Sequence, residues 1–205
     1  MCNIKAPGEI DADLREFWVE DPWQIMAMGH NLSAYERKRA FLNAKGKAFL
    51  DISHLTGADN DSDGRSVVAA DFFNTGRLDL IVRQVGGGPL MLYENRFPQK
   101  HYLKVSLRGS QSNRQGIGAR ITAVANGLSQ IREMYPYNTY RSQAPNIVHF
   151  GLGDADTVER LTIRWPSGKV QEVHVVKADR HIVINEDREG FAAIETIRPG
   201  RTTQP

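Results

Sequence analysis

The sequence predicts an all-β protein: a single propeller-blade-like antiparallel sheet, then a β-sandwich or small-barrel domain, with a short N-terminal arm. Three observations indicate this class. Short runs of β-branched, aromatic and aliphatic residues are separated by turn residues. Apolar and polar residues alternate along several of these runs. No segment of helical length separates the runs between residues 40 and 98, which excludes parallel βαβ units there.

The order of these runs divides the chain into four parts. Residues 1–39 form a charged N-terminal arm with a short apolar pattern of helical spacing before an Asp-Pro pair. Residues 40–98 hold four or five short strands around an Asp-rich loop, which matches one blade of a propeller. Residues 99–187 form a second β domain, and residues 188–205 a polar, Pro-rich, flexible tail.

The second β domain has the clearer alternation. In HYLKVSLRG, Leu103, Val105 and Leu107 share one face, and Lys104 lies on the other. One buried and one solvent-facing side is typical of a sandwich or small barrel. Asn126-Gly127, between two strand runs, predicts a two-residue hairpin turn.

Composition excludes several classes of protein. A net charge of +2 over 205 residues is too small for a nucleic-acid-binding protein, which needs a concentrated basic face. The sequence contains neither an apolar run of transmembrane length nor a visible signal peptide. Cys2 is the single cysteine, so an internal disulfide framework and a cysteine metal cluster are both excluded.

An acidic segment precedes the third strand run. Asp59, Asp61 and Asp63 alternate before Gly64, as in the first half of a calcium loop, but the closing acid is missing. Two interpretations stay open. The segment is a weak calcium site, or it is a solvated turn whose Asp and Asn side chains bond their own backbone.

Two long segments resemble the ASPIC/UnbV domain of the cartilage acidic protein family and of bacterial proteins. These are SNRQGIGARITAV at 112–124 and HFGLGDADTVERLTIRWPSGKVQ at 149–171, within a match that spans roughly residues 101–186. Upstream, YERKRAFLN and DGRSVVAADFFNTGRLDLIV are similar to one FG-GAP or VCBS-type repeat. The resemblance implies a blade leading into a β-rich domain, and an exported protein, periplasmic or extracellular, associated with adhesion.

The resemblance to the repeat also implies a second calcium loop. In the repeat that loop runs Asp-x-Asp-x-Asp-Gly-x-x-Asp, and here Asp71 and Asp79 stand at its first and last positions. Phe73 and Thr75 replace two of the carboxylates that a hard cation needs. Calcium is the one cofactor that these two loops suggest, with Asp59, Asp61, Asp63, Asp71 and Asp79 as its candidate ligands.

Two groups of residues are candidates for binding. Arginines and an asparagine beside a glycine turn can grip a carboxylate or sulfate, or can hold domains together by bonding carbonyls. Tyrosine and arginine are both enriched at interfaces, so the segment REMYPYNTYRSQ suits a protein or glycan contact, or else a loop folded over the sandwich end. The candidates are Asn113, Arg114, Arg120, Arg132, Tyr135, Tyr137, Tyr140 and Arg141.

We therefore predict a non-catalytic binding or assembly module. It would dock to a protein or glycan partner, associate with itself, or belong to a larger complex, because a lone blade leaves sheet edges unpaired. The alternative is an enzyme or accessory protein of secondary metabolism that uses a pocket in the ASPIC/UnbV-like domain. His149, inside a strand run, is predicted to be a hydrogen-bonded interior histidine rather than a base.

Overall fold

The structure is a computed structural model that describes residues 37–44, 46–60, 64–84, 89–137, 139–140 and 142–194. The predicted arm up to residue 36, and the predicted tail from residue 195, lie outside these residues. The described residues contain one short helix, α1 (Ser53–Thr56). The strands are β1 (Phe41–Asn43), β2 (Phe49–Asp51), β3 (Gly64–Ala70), β4 (Asp79–Gln84), β5 (Met91–Tyr93), β6 (His101–Arg108), β7 (Arg120–Ala125), β8 (Leu128–Glu133), β9 (Val148–Gly153), β10 (Thr157–Arg164), β11 (Val170–Lys177), β12 (Arg180–Asn185) and β13 (Ala192–Ile194).

The first five strands form two small sheets. β1 pairs with β2 in antiparallel register, and β3, β4 and β5 form a three-stranded sheet in that order. The chain divides into two compact units. The described residues of one are 37–44, 46–60, 64–65, 82–84 and 89–90, and those of the other are 66–81, 91–137, 139–140 and 142–194. The larger unit therefore includes the loop between β3 and β4.

The larger unit contains a sandwich of two four-stranded sheets. Their strand orders are β11-β10-β7-β8 and β13-β12-β6-β9, and every pair is antiparallel except β6 with β12. The inward faces of both sheets supply one core, in which Leu103, Ile121, Phe150, Leu161 and Ile182 are fully buried. The predicted all-β class is confirmed, and within the described residues no sheet closes into a barrel.

Local turn chemistry follows the sequence. Asn126 and Gly127 both have positive φ, 48° and 72°, as a two-residue turn matching strand twist requires. They join β7 to β8, whose register runs from Ala125 opposite Leu128. The Pro-Ser-Gly segment after Trp165 joins β10 to β11 in the same antiparallel manner.

One expectation about the sandwich is wrong. The side of β6 that carries Lys104 was expected to face solvent, but Lys104 is only 4% exposed and Tyr102 on the same face is equally buried. Residues 71–79, which are the loop between β3 and β4 together with the first residue of β4, contact this face through Lys104 and Tyr102. Alternation shows which side chains share a face, but it does not show whether another part of the chain covers that face. Here the covering loop is about 30 residues earlier in the chain.

A buried carboxylate fixes the end of β12 to two loops. One oxygen of Glu186 accepts the backbone N–H groups of Ser110, Gln111 and Ser112 at 2.7–2.8 Å. The other oxygen accepts the hydroxyls of Ser112 at 2.8 Å and Ser167 at 2.5 Å. Burial raises the pKa of this carboxyl, but these donors outweigh burial and lower the pKa from 4.5 to about 2.

Replacing Glu186 with Gln should therefore lower the free energy of unfolding by about 1–3 kcal/mol, because an amide nitrogen cannot accept from donors already in place. The folded state favours the charged carboxylate, so its contribution is complete above pH 4.5 and is lost as the pH falls to about 2. Urea unfolding of both proteins across this range should show the difference shrinking toward acid pH. A difference independent of pH would contradict the role of the charge.

Candidate functional site

The loop from Asp71 to Asp79 folds around the carboxylate of Asp71. One oxygen of that carboxylate accepts the backbone N–H of Thr75 at 2.7 Å, and the other accepts that of Gly76 at 2.9 Å. Asn74 adopts a left-handed conformation with φ 52°, which an Asn tolerates better than most residues. Asp71, the first acid of the repeat-like loop, thus holds the loop in shape by accepting hydrogen bonds from the loop backbone.

The cation facing this loop belongs to the chain itself. The ammonium group of Lys104 lies 2.9 Å from an Asp71 carboxylate oxygen and 3.4 Å from the amide oxygen of Asn74. The side chains of Lys104 and Asp71 are 6% and 3% exposed, so this is a buried ion pair. A lysine on β6 therefore supplies positive charge to carboxylate and amide oxygens of the kind that a calcium loop presents.

Gly76 brings the same loop flat against β6. It has φ +86°, and a Cβ atom built on it would lie 2.0 Å from the ring of Tyr102, so no larger residue fits. The Nε2 of His149 donates to the carbonyl oxygen of Gly76 at 2.8 Å, and its ring stacks on Tyr102 with the centroids 5.8 Å apart. The expected interior histidine is hydrogen-bonded as predicted, and its side chain is half-buried.

The charge state of His149 agrees with this role. Burial lowers its pKa most strongly, and the nearby Lys104 ammonium adds to that effect. The carbonyl of Gly76 and the carboxylate of Asp71 act in the opposite direction without reversing the net shift. The lowered pKa favours the neutral imidazole, which donates to the backbone carbonyl of Gly76.

Asp79 closes the loop from its other end. Its two oxygens accept the backbone N–H groups of Phe72 at 3.1 Å and Asn95 at 2.8 Å, and its side chain is buried. Asn95 in turn donates its side-chain amide to the carbonyl of Leu78 at 3.0 Å. Both acids retained from the repeat pattern are therefore engaged with protein donors.

The other acidic segment is only partly described. Asp59 receives a bond from Arg37 at 2.9 Å, and its carboxylate lies 2.8 Å from the Nδ1 of His54. Asp61 and Asp63 lie outside the described residues. Among the residues that are described, no group of three or more metal-ligating side chains comes together.

The candidate binding residues near the glycine turn have local partners. Asn113 holds its own turn through two bonds to the backbone of Ile117, at 2.7 and 2.8 Å. Arg120 pairs with Glu133 on the neighbouring strand at 2.8 Å, with both side chains more than half exposed. Arg114 is exposed, and its carbonyl accepts the N–H of Gly109.

The tyrosines of the second group lie together on one loop. We call residues 134–147, between β8 and β9, the Tyr-rich loop; Tyr135, Tyr137 and Tyr140 on it are 56%, 54% and 57% exposed. Arg132, at the end of β8, lies over the ring of Phe150 at 5.7 Å. Arg141 is outside the described residues.

A polar cleft of about 450 Å³ opens beside β6. His101 lies 2.7 Å from a carboxylate oxygen of Asp179, and Lys100 lies 2.6 Å from Asp154. All four side chains line the cleft, together with Arg77. The cleft therefore presents polar and charged side chains, with Lys100 and Arg77 as cations and Asp154 and Asp179 as acids, to a small polar molecule.

Sequence patterns missed two residues that hold the loop of residues 71–79, Lys104 and Asn95, and also missed Glu186, which anchors the end of β12. Lys104 was placed on a solvent-facing side, and neither Glu186 nor Asn95 belonged to any pattern. Alternation correctly put Lys104 on the face opposite Leu103 and Val105. The one sequence signal for its burial was a lysine in the middle of an otherwise largely apolar strand.

The ASPIC and UnbV family model matches residues 109–190, which cover β7 to β12 of the sandwich. The second β domain is therefore similar to this family over that range. A comparison with curated proteins finds no match to the chain. In the described part of the chain, no helix has the length and apolar character to cross a membrane.

Breaking the buried ion pair by removing one partner should strongly destabilise this region. Replacing Lys104 with Met leaves the Asp71 carboxylate buried without its cation, which should cost about 3–5 kcal/mol of unfolding free energy. The matched control is Lys100→Met, because its ion pair with Asp154 is exposed on both sides and should contribute about 1 kcal/mol or less. Urea unfolding measures both, and equal effects would contradict the assignment.

Calcium should leave the stability of the protein unchanged. The oxygens of Asp71 and Asp79 already accept bonds from backbone N–H groups and Lys104, so a metal would have to displace them. We expect the same melting temperature in excess calcium and in EGTA. A melting temperature that rises with calcium would show that a metal site exists after all.

Proposed function

We propose that this protein is a non-catalytic binding module whose Tyr-rich loop docks onto a partner protein. The observation that supports it is the exposure of three tyrosines, each more than half accessible, within a single loop. Tyrosine combines a large apolar ring with a polar hydroxyl and loses little conformational entropy on binding. Such residues are therefore effective as contact residues when they are held in place beforehand.

The Tyr-rich loop is anchored at several points. Met134 at its start is 1% exposed, and Pro136 accepts a backbone bond from Ala144 at 2.9 Å. Ser66 on β3 donates to the carbonyl of Tyr140 and lies 2.5 Å from the hydroxyl of Ser142. A fixed backbone with exposed rings lowers the entropic cost of association.

The setting of this interaction is part of the proposal. The likeness to ASPIC and UnbV domains supports an exported protein that acts in the periplasm or outside the cell. Expression of the full gene product with a C-terminal reporter, followed by fractionation, tests this. Recovery of the reporter only from the cytoplasm would contradict it.

A second candidate is an accessory protein or enzyme of secondary metabolism, and the polar cleft favours it. The His101–Asp179 pair lies in the lining of a space large enough for a small metabolite. Thermal shift against a panel of polar metabolites tests this function. A ligand whose stabilising effect disappears in His101→Ala, but not in Tyr137→Ala, would favour the cleft over the Tyr-rich loop.

Replacing Tyr135 and Tyr137 together with Ala should weaken binding of a partner recovered by cross-linking by at least about tenfold, a loss of 1.4 kcal/mol or more. The control is Leu128→Ala, since this side chain is 67% exposed but lies outside the loop. Titration calorimetry with the purified partner measures both variants. Unchanged affinity in the double variant would remove the loop from the proposal, and binding to a glycan array instead would replace the protein partner.

A further inference from the structure

The strand β11 is an outer strand of the sandwich. It pairs with β10 on one side, and the sheet order β11-β10-β7-β8 leaves its other side as a sheet edge. Sheet edges present backbone donors and acceptors that can pair with another chain. This edge is a different surface from the Tyr-rich loop.

The hydrogen-bond pattern fixes which residues direct their backbone outward. The N–H of Trp165 donates to the carbonyl of Lys169 at 2.9 Å, so these two residues form a hydrogen-bonded pair. Antiparallel pairs alternate between hydrogen-bonded and non-hydrogen-bonded positions. With Arg164 opposite Val170, every second residue from Val170 therefore points its N–H and C=O away from β10. These residues are Val170, Glu172 and His174.

No described residue pairs with the outward backbone groups of these three residues. Their side chains are also exposed and share the outer face of the sheet. The two intervening residues, Gln171 and Val173, face the core instead. From Val170 to His174 the edge thus presents a row of outward backbone N–H and C=O groups, which we call the open ladder, and a row of accessible side chains.

The segment of residues 188–191 lies beside the edge strand and forms the opposite wall of a groove. Residues 188–191 line a groove of about 700 Å³ together with residues 169–174. The wall is fixed, because the side-chain amide of Gln171 donates to the carbonyl of Arg188 at 2.6 Å. Phe191 on the wall is 37% exposed and Val170 on the strand 58% exposed, so each side of the groove presents one accessible apolar side chain.

The open ladder has a defined end. Val175 has φ 56°, a left-handed conformation that a β-branched residue rarely adopts, and its side chain is 71% exposed. The strand cannot continue regular pairing through this residue. The usable edge from Val170 to His174 is therefore about 17 Å long, room for a segment of about five residues.

We propose that this groove binds an extended segment of a partner protein as an added β-strand. Outward N–H and C=O groups repeating every second residue are matched by an extended backbone. Apolar side chains of the segment would contact Val170 on the strand or Phe191 on the wall, and a basic side chain would face Glu172. A second copy of β11 fits less well, because antiparallel pairing centred on Glu172 places the two Glu172 carboxylates opposite each other.

The test uses the full chain and a set of synthetic N-acetylated seven-residue peptides in which Thr alternates with Val, Lys or Glu. Fluorescence polarisation is expected to show binding of peptides that carry Val and Lys. Methylation of alternate backbone nitrogens should abolish binding when the methyl groups face β11 and preserve it when they face away. The expected loss is roughly tenfold or more, since several backbone hydrogen bonds disappear together.

Two protein variants complete the test. Glu172→Pro removes an outward N–H that β10 does not use, so the fold should survive while peptide binding is lost. If that variant fails to fold, Glu172→Lys serves instead and should shift the preference from Lys to Glu peptides. The double variant of Tyr135 and Tyr137 should bind peptide normally, which separates this site from the Tyr-rich loop.

Several results would overturn the proposal. Absence of binding by every peptide would do so, as would binding that is indifferent to the position of the methyl groups. A concentration-dependent dimer that Glu172→Pro dissolves, without peptide binding, would make a second copy of the chain the occupant. Tight binding that Glu172→Pro leaves unchanged would place the peptide elsewhere.

Discussion

The buried ion pair between Lys104 and Asp71 determines how the loop of residues 71–79 lies on the sandwich. Asp71 alone can fold the loop, since its oxygens accept two backbone N–H groups within it. The ammonium of Lys104 then ties that folded loop to the middle of β6. Gly76 is brought onto Tyr102 and within bonding distance of His149 by the same placement. A sheet face with a lysine at its centre is thereby buried without leaving a charge unpaired.

The buried carboxylates of Asp71 and Glu186 are stabilised in different ways. Asp71 faces a full positive charge, whereas Glu186 is surrounded by backbone N–H groups and hydroxyls and its N–H donors carry only partial charges. A buried ion pair gains little net stability over an apolar contact, because both charges must lose their water. The pair does fix geometry, since neither side chain can move away without leaving the other charge buried and unpaired. The Lys104–Asp71 pair therefore specifies the position of the loop more than it adds to stability.

Much of the sandwich could be predicted from local sequence, because alternation and turn residues act within a few positions. The inward set of Leu103, Leu161 and Ile163, and the turn at Asn126-Gly127, follow from such signals. The partners of Asp71 and Asp79 could not be predicted in this way. A carboxylate that binds a metal and one that caps backbone N–H groups occupy the same kind of loop, and the deciding lysine lies on a distant strand.

The irregularity at Val175 is tolerated because the neighbouring strand has a matching one. In β11 the inward residues shift from Val173 to Val176, and in β10 they shift from Leu161 to Val158. Since both strands slip by one position at the same point, their register is the same before and after it. Neither strand turns its apolar set toward solvent, which a slip in one strand alone would cause. The edge is thus interrupted without loss of the core, and regular pairing by another chain is confined to the stretch before Val175.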